Sequence, residues 1–174
     1  MHLFLTGEIQ VGKSTLLRSV LSRLALGVGG FCTLWRGTGE GATLHLLPWG
    51  ADLSVCTAEN QVGVRRELGR AGALPGAFDR LGPALLSPLR GDVTVMDELG
   101  FLERDAPAFQ SAVLRRLEAP TPVFGVVKPR GDPFLDKVRA QPGVELVWVT
   151  PDNRQALADT LTRRLENTWK GAGR

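Results

Sequence analysis

Cysteine and histidine are scarce in this chain of 174 residues, at two each. Cys32 and Cys56 are isolated, with no C-x-x-C pair and no clustered histidines. That pattern speaks against a zinc site and leaves two reduced thiols as the expected state. No apolar run approaches the roughly 18 residues that a membrane span needs. The N-terminal stretch has no basic region leading into a long apolar core, and Glu8 and Gln10 interrupt it early, so no secretory signal and a cytoplasmic protein without membrane contact are expected. Basic residues interleaved with aromatics are missing too. The pairs Arg65-Arg66, Arg115-Arg116 and Arg163-Arg164 fall on amphipathic stretches, where a solvated helix face is the default. A net charge of +3 therefore leaves a nucleic-acid partner open but without positive support. There is no internal repeat and no linker, and the length and ordinary composition point to one domain over residues 1–174 with a real core.

What is present begins at residue 7. Gly7-Glu8-Ile9-Gln10-Val11-Gly12-Lys13-Ser14 is a full match to the phosphate-cradling loop G-x-x-x-x-G-K-[ST]. A chance match in a chain of this length is on the order of one per cent by average residue usage. His2-Leu3-Phe4-Leu5-Thr6 before it is short, apolar and strand-like, and Thr15 to Leu26 after it carries Leu17, Leu21 and Leu24 at helical spacing. A strand feeding a glycine turn into a helix aims backbone N–H groups and the positive end of the helix dipole at one point, where phosphate is the natural occupant. Gly7 through Thr15 are thus the candidate nucleotide-binding residues. Lys13 is placed to reach the β- and γ-phosphates, and the Ser14 hydroxyl to hold Mg²⁺.

Further along, Gly30 to Trp35 is expected to be a strand and Ala42 to Leu47 its hairpin partner across a glycine turn. Residues 48–75 carry no clear pattern. Ala77 to Leu86 is helical in pattern and ends at the Ser87-Pro88 step. Asp105 is expected to cap a helix running to Leu117, and Val123 to Val127 and Val144 to Val149 to be buried strands flanking a short helix over 134–139. Thr150 and Pro151 have the form of a helix start, with that helix reaching Trp169 and the tail from Lys170 frayed. Strands alternating with helices imply a mostly parallel sheet covered on both faces, with ligands at the carboxyl ends of its strands, plus an antiparallel hairpin.

Asp92 to Met96 is an apolar, β-branched strand candidate that runs into Asp97 and Glu98. Paired acids at the end of a buried strand call for a cation or a reaction. Asp97 is suited to hold Mg²⁺ opposite Ser14, and Glu98 to take a proton from a water aimed at the γ-phosphate. Lys128 follows a strand to the same sheet end, where it either senses the γ-phosphate or sits as a surface lysine. Arg154 either stabilises transition-state charge or merely occupies the first turn of the last helix. Of Trp35, Trp49, Trp148 and Trp169, core or edge packing is the ordinary expectation, with base stacking the alternative. His45 is expected to be structural.

With these residues in view, the chain resembles the small P-loop nucleoside-triphosphatases, the cancer-related type, over most of its length. The likeness rests on the phosphate loop, on Gly30-Phe31-Cys32-Thr33, on Asp97-Glu98-Leu99-Gly100 followed by Leu102-Glu103, on Phe109, and on Val149-Thr150-Pro151-Asp152-Asn153-Arg154 before Leu157. Leu34-Trp35 departs from it, standing where acidic residues are common, and residues 37–90 match poorly. The resemblance implies a RecA-like core and hydrolysis of ATP, GTP and other nucleoside triphosphates with little base preference. Two other classes compete with that enzyme: a nucleotide-gated module that binds RNA or protein, and a small-molecule kinase or cofactor-assembly protein on the same loop.

Overall fold

The computed structural model describes residues 1–87 and 91–169. Five strands form the parallel part of an eight-stranded sheet: β1 (His2–Thr6), β2 (Val28–Arg36), β6 (Val93–Leu99), β7 (Val123–Val127) and β8 (Val144–Trp148). Their spatial order is β2-β6-β7-β1-β8, so each parallel neighbour is reached by a crossover. β3 (Thr43–Pro48), β4 (Gln61–Arg65) and β5 (Ala71–Ala73) continue the sheet antiparallel beyond β2. Their all-but-local connections are what allow turns instead of helices between them.

Helices cover both faces. α1 (Lys13–Arg23) and α5 (Arg154–Trp169) pack with Leu3, Leu5, Val95 and Phe124 on one side. α2 (Ala77–Leu86), α3 (Pro107–Glu118) and α4 (Pro133–Arg139) pack with Phe4, Phe31, Met96 and Val127 on the other. The period of two along β1 sends Leu3 and Leu5 one way and Phe4 the other, which is why the strand is buried throughout.

Several boundaries differ from the sequence pattern. α1 starts and stops earlier, because Gly12 in a left-handed conformation begins it and an extended Leu24 ends it. Asp105 does not cap α3. The helix follows Ala106 with Pro107 in its first turn, where the missing N–H is no loss. The regular part of α5 begins at Arg154, while Thr150 caps the turn before it as expected, exchanging reciprocal side-chain hydrogen bonds with Asn153 and accepting the Arg154 N–H at its carbonyl. β6 runs on through Asp97 and Glu98 to Leu99. Residues 48–75 contain β4, β5 and two 3₁₀ turns. Pro88, expected to stop α2, and the tail from Lys170 lie outside the described residues.

His45 is structural, its ring shared between Thr43 and Asn60 at 2.8 Å each. Among the described residues no helix is long and apolar enough to cross a membrane.

Phe109 sits at the centre of the α2–α3 contact, with its ring 5.5 Å from both Phe31 and Phe78. A Cβ on Gly82 would fall 2.0 Å from that ring. In an exposed helix, alanine stabilises relative to glycine by up to about 1 kcal/mol. Here overpacking dominates, and Gly82→Ala is expected to destabilise by about 1–3 kcal/mol in urea titration. A neutral or stabilising result would show that α2 and α3 are not packed this closely.

Candidate active site

The loop between β1 and α1 is shaped by two close approaches. Gly7 has φ 141°, and a Cβ there would lie 2.4 Å from the Val149 carbonyl oxygen. Gly12 has φ 91°, and a Cβ there would lie 2.4 Å from Arg154 Nη1. A side chain at position 7 collides with the backbone that follows β8, and one at position 12 with the Arg154 side chain at the start of α5. No side chain caps the start of α1, so its first N–H groups are free to face an anion. Glu8, Ile9 and Gln10 on the outside of the loop are exposed, Val11 is half-buried, and Thr15 is exposed on the first turn of the helix.

Lys13 is buried. Its ammonium folds back over the loop and donates to the Gly7 and Glu8 carbonyls at 2.9 and 2.6 Å. Burial lowers its pKa, opposed mainly by the charge of Glu98. Ser14 Oγ donates to Asp97 Oδ1 at 2.7 Å, a contact between residues 83 positions apart. Asp97 is buried on β6, where desolvation raises its carboxyl pKa against the opposing pull of the Ser14 hydrogen bond. The structure therefore brings the loop and the strand acids together.

Glu98, joined to Asp97 by a cis peptide, turns instead toward Lys128, whose Nζ stands 3.2 Å from Glu98 Oε1 and 4.8 Å from the Phe101 ring centroid. Lys128 leaves β7 at the sheet's carboxyl end. Its N–H donates to the Leu99 carbonyl at 3.0 Å, and Arg139 at the end of α4 donates to the Lys128 carbonyl. Arg154 reaches across to the loop, its Nη1 3.3 Å from the Val11 carbonyl. All the residues singled out from the sequence thus gather at one end of the sheet, around one loop.

Three neighbours were not singled out for the site from the sequence. Arg18, one turn along α1, lowers the pKa of Asp97 and lies with its guanidinium 4.7 Å from the Trp49 ring. Thr33 on β2 donates to the Asp97 carbonyl at 3.4 Å. Glu103, 3% exposed, accepts the Gly100 N–H at 2.9 Å. Glu98, Gly100, Glu103, Lys128, Thr33 and Trp35 line one cavity of about 40 Å³, room for a water molecule. Helical spacing from Ser14, four residues before it, was the only signal available for Arg18. Thr33 needed the β2–β6 pairing, and Glu103 needed the turn after β6.

A family model described as NTPase matches residues 2–162. The nucleoside-triphosphatase THEP1 of Methanopyrus kandleri is 30% identical over 168 residues, covering 92% of each chain. That of Natranaerobius thermophilus is 26% identical over 173 residues, 95% of this chain and 96% of the relative. The crystal structure of THEP1 from Aquifex aeolicus superposes with a TM-score of 0.71 at 22% identity, covering 95% of this chain and 99% of that one, and shows the same fold.

Burial pushes the Glu103 carboxyl up to about 7, with the Gly100 N–H and Lys128 pulling the other way. The folded chain then holds a proton that the unfolded chain releases from about pH 4.5 upward. Folding stability is favoured at low pH and falls as pH rises through that window, by ~3 kcal/mol at most from this group. Asp97, shifted in the same direction, adds to the slope. Glu103→Gln, which keeps an acceptor for Gly100, is expected to give a shallower fall in urea midpoint between about pH 5 and about pH 7.5. Identical slopes in parent and variant would remove burial of Glu103 as a cause.

Proposed function

The chain belongs to the NTPase family, and from that premise we propose that it hydrolyses the β–γ bond of ATP, GTP and other nucleoside triphosphates in a Mg²⁺-dependent reaction, with Glu98 orienting the attacking water. The observation that carries this reading is the Ser14–Asp97 contact at 2.7 Å with the Glu98–Lys128 pair beside it. One hydroxyl and one carboxylate are hard oxygen donors of the kind Mg²⁺ uses while taking its remaining ligands from phosphate and water. A buried carboxylate is also costly without a cation, which supports Ser14 and Asp97 as the residues that would hold the ion. When bound, the ion offsets negative charge on the phosphate oxygens.

The chain's own groups supply the rest. N–H groups from Gly7 to Thr15 cradle the phosphates. Lys13 exchanges the Gly7 and Glu8 carbonyls for phosphate oxygens, gaining a charged partner for a cation that burial disfavours. Glu98 accepts a hydrogen bond from water and turns its lone pair toward the γ-phosphorus. As the new P–O bond forms, the bond to the β–γ bridging oxygen breaks and the water's proton passes to Glu98 and on to solvent, leaving nucleoside diphosphate and phosphate. Lys128 fixes the Glu98 carboxylate and faces the γ-phosphoryl group, and Arg154, poised over the loop, adds positive charge to the transferring group.

One observation favours a second reading, phosphoryl transfer to a small acceptor. A cavity of about 250 Å³ lined by Phe101, Arg104, Lys128, Arg130 and Leu135 opens next to Lys128. Label from the γ-phosphate moving to an organic acceptor in a cell extract would support it, and transfer to water alone would reject it.

Glu98→Gln is expected to cut kcat for phosphate release by about 10²-fold or more with nucleotide binding retained. Lys13→Ala is expected to weaken binding and turnover together, and chelation of divalent ions to stop the reaction until Mg²⁺ is restored. Steady-state phosphate release with ATP and GTP measures all three. Parental rates in both variants would refute the mechanism.

A further inference from the structure

We propose that Trp148 is a stacking platform for the base of the bound nucleotide, an inference that rests on the phosphate loop taking the triphosphate as above. Among the described residues the four tryptophans differ sharply. Trp35 lies against the Arg65 guanidinium at 4.6 Å and Trp49 against that of Arg18 at 4.7 Å. Trp169 is buried edge-on to Phe124 at 5.9 Å. Trp148 alone is half exposed, at 51%, and has no ring or cation contact.

Its place is specific. Trp148 is the last residue of β8 and pairs with Thr6, the residue that enters the phosphate loop. The Val149 N–H donates to the Thr6 carbonyl at 2.8 Å, and the Val149 carbonyl is the group that forces glycine at position 7. The backbone carrying the indole is held by Asn153, whose Nδ2 donates to the Trp148 carbonyl at 2.9 Å while Oδ1 accepts the Thr150 N–H at 2.8 Å. The ring therefore extends from a rigid part of the loop's own wall.

The direction of the substrate follows from the strand order. Asp97, Glu98 and Lys128 come from β6 and β7, on one side of β1, and β8 lies on the other. A triphosphate with its γ end at Glu98 and Lys128 and its middle on the loop sends its nucleoside toward β8. An exposed indole at that exit provides a π-face, which every base can use. Stacking of this kind tolerates any base, as the range of substrates proposed for the site requires. Leu146, 42% exposed and two residues back on the same face of the strand, extends the apolar surface.

Calorimetric titration of the full chain with ADP, GDP and pyrophosphate tests the idea without turnover. Trp148→Ala is expected to weaken ADP and GDP roughly tenfold, Trp148→Phe to restore most of that loss, and pyrophosphate to bind all three proteins alike. Unchanged nucleotide affinity in Trp148→Ala would overturn the proposal. So would pyrophosphate weakening in step with ADP, which would mark a distorted loop. A dimer in sedimentation that Trp148→Ala dissociates, with ADP affinity intact, would assign the indole to contact between copies and overturn it equally. If the ADP result holds but the parent releases no phosphate from ATP, the hydrolytic reading fails and the stacking role stands.

Discussion

The hydrogen bond from Ser14 to Asp97 is the contact on which the site depends. It joins the first turn of α1, which follows β1, to β6, and those two strands are not neighbours, since β7 lies between them. The bond therefore forms only when the sheet has the order it has. Everything with chemistry in it lies within reach of that point: the loop on one side, Glu98 and Lys128 on the other, and Arg154 above. An ionised acid buried this deeply is disfavoured in isolation. Its retention beside a hydroxyl, with Arg18 and Lys13 near, is the arrangement that a bound cation would stabilise.

The electrostatics divide the site. On the α1 side, buried Lys13 and Asp97 are both pushed toward their neutral forms by desolvation. On the other side, Glu98 and Lys128 are only partly covered and pair with each other. In the proposed reaction the group that meets water would work in a half-open position, and those that grip phosphate in a dry one, where charge interactions are stronger. Glu103 underlies the second half, holding the Gly100 backbone against which the Lys128 stem packs.

Much of this was legible in the sequence because the informative residues are local. The phosphate loop is eight consecutive residues with a strand before and a helix after, and β6 announces its acids by an apolar run. The antiparallel strands β4 and β5 were not legible. They are five and three residues long, respectively, with glycine or alanine in each, and their pairing comes from neighbours, not from their own pattern. Asp105 misled because proline, two residues on, starts the helix without a cap. Thr33 and Glu103 join the site through register and a turn, which spacing along the chain does not encode. The resemblance to small P-loop nucleoside-triphosphatases supplied the family, and among its matching residues Ser14 and Asp97 meet at the site while Phe109 lies in the core.

The strand order also bears on how the chain is made. β2 to β5 pair with near neighbours in sequence and can zip together as soon as they emerge from the ribosome. β1 is made before any of these, yet its partners β7 and β8 are separated from it by more than a hundred residues of chain. The phosphate loop thus waits for more than a hundred further residues before Lys128 and Val149 join Asp97 around it. A product cut short before β7 would carry the complete motif and lack Lys128, Val149 and Arg154 beside it.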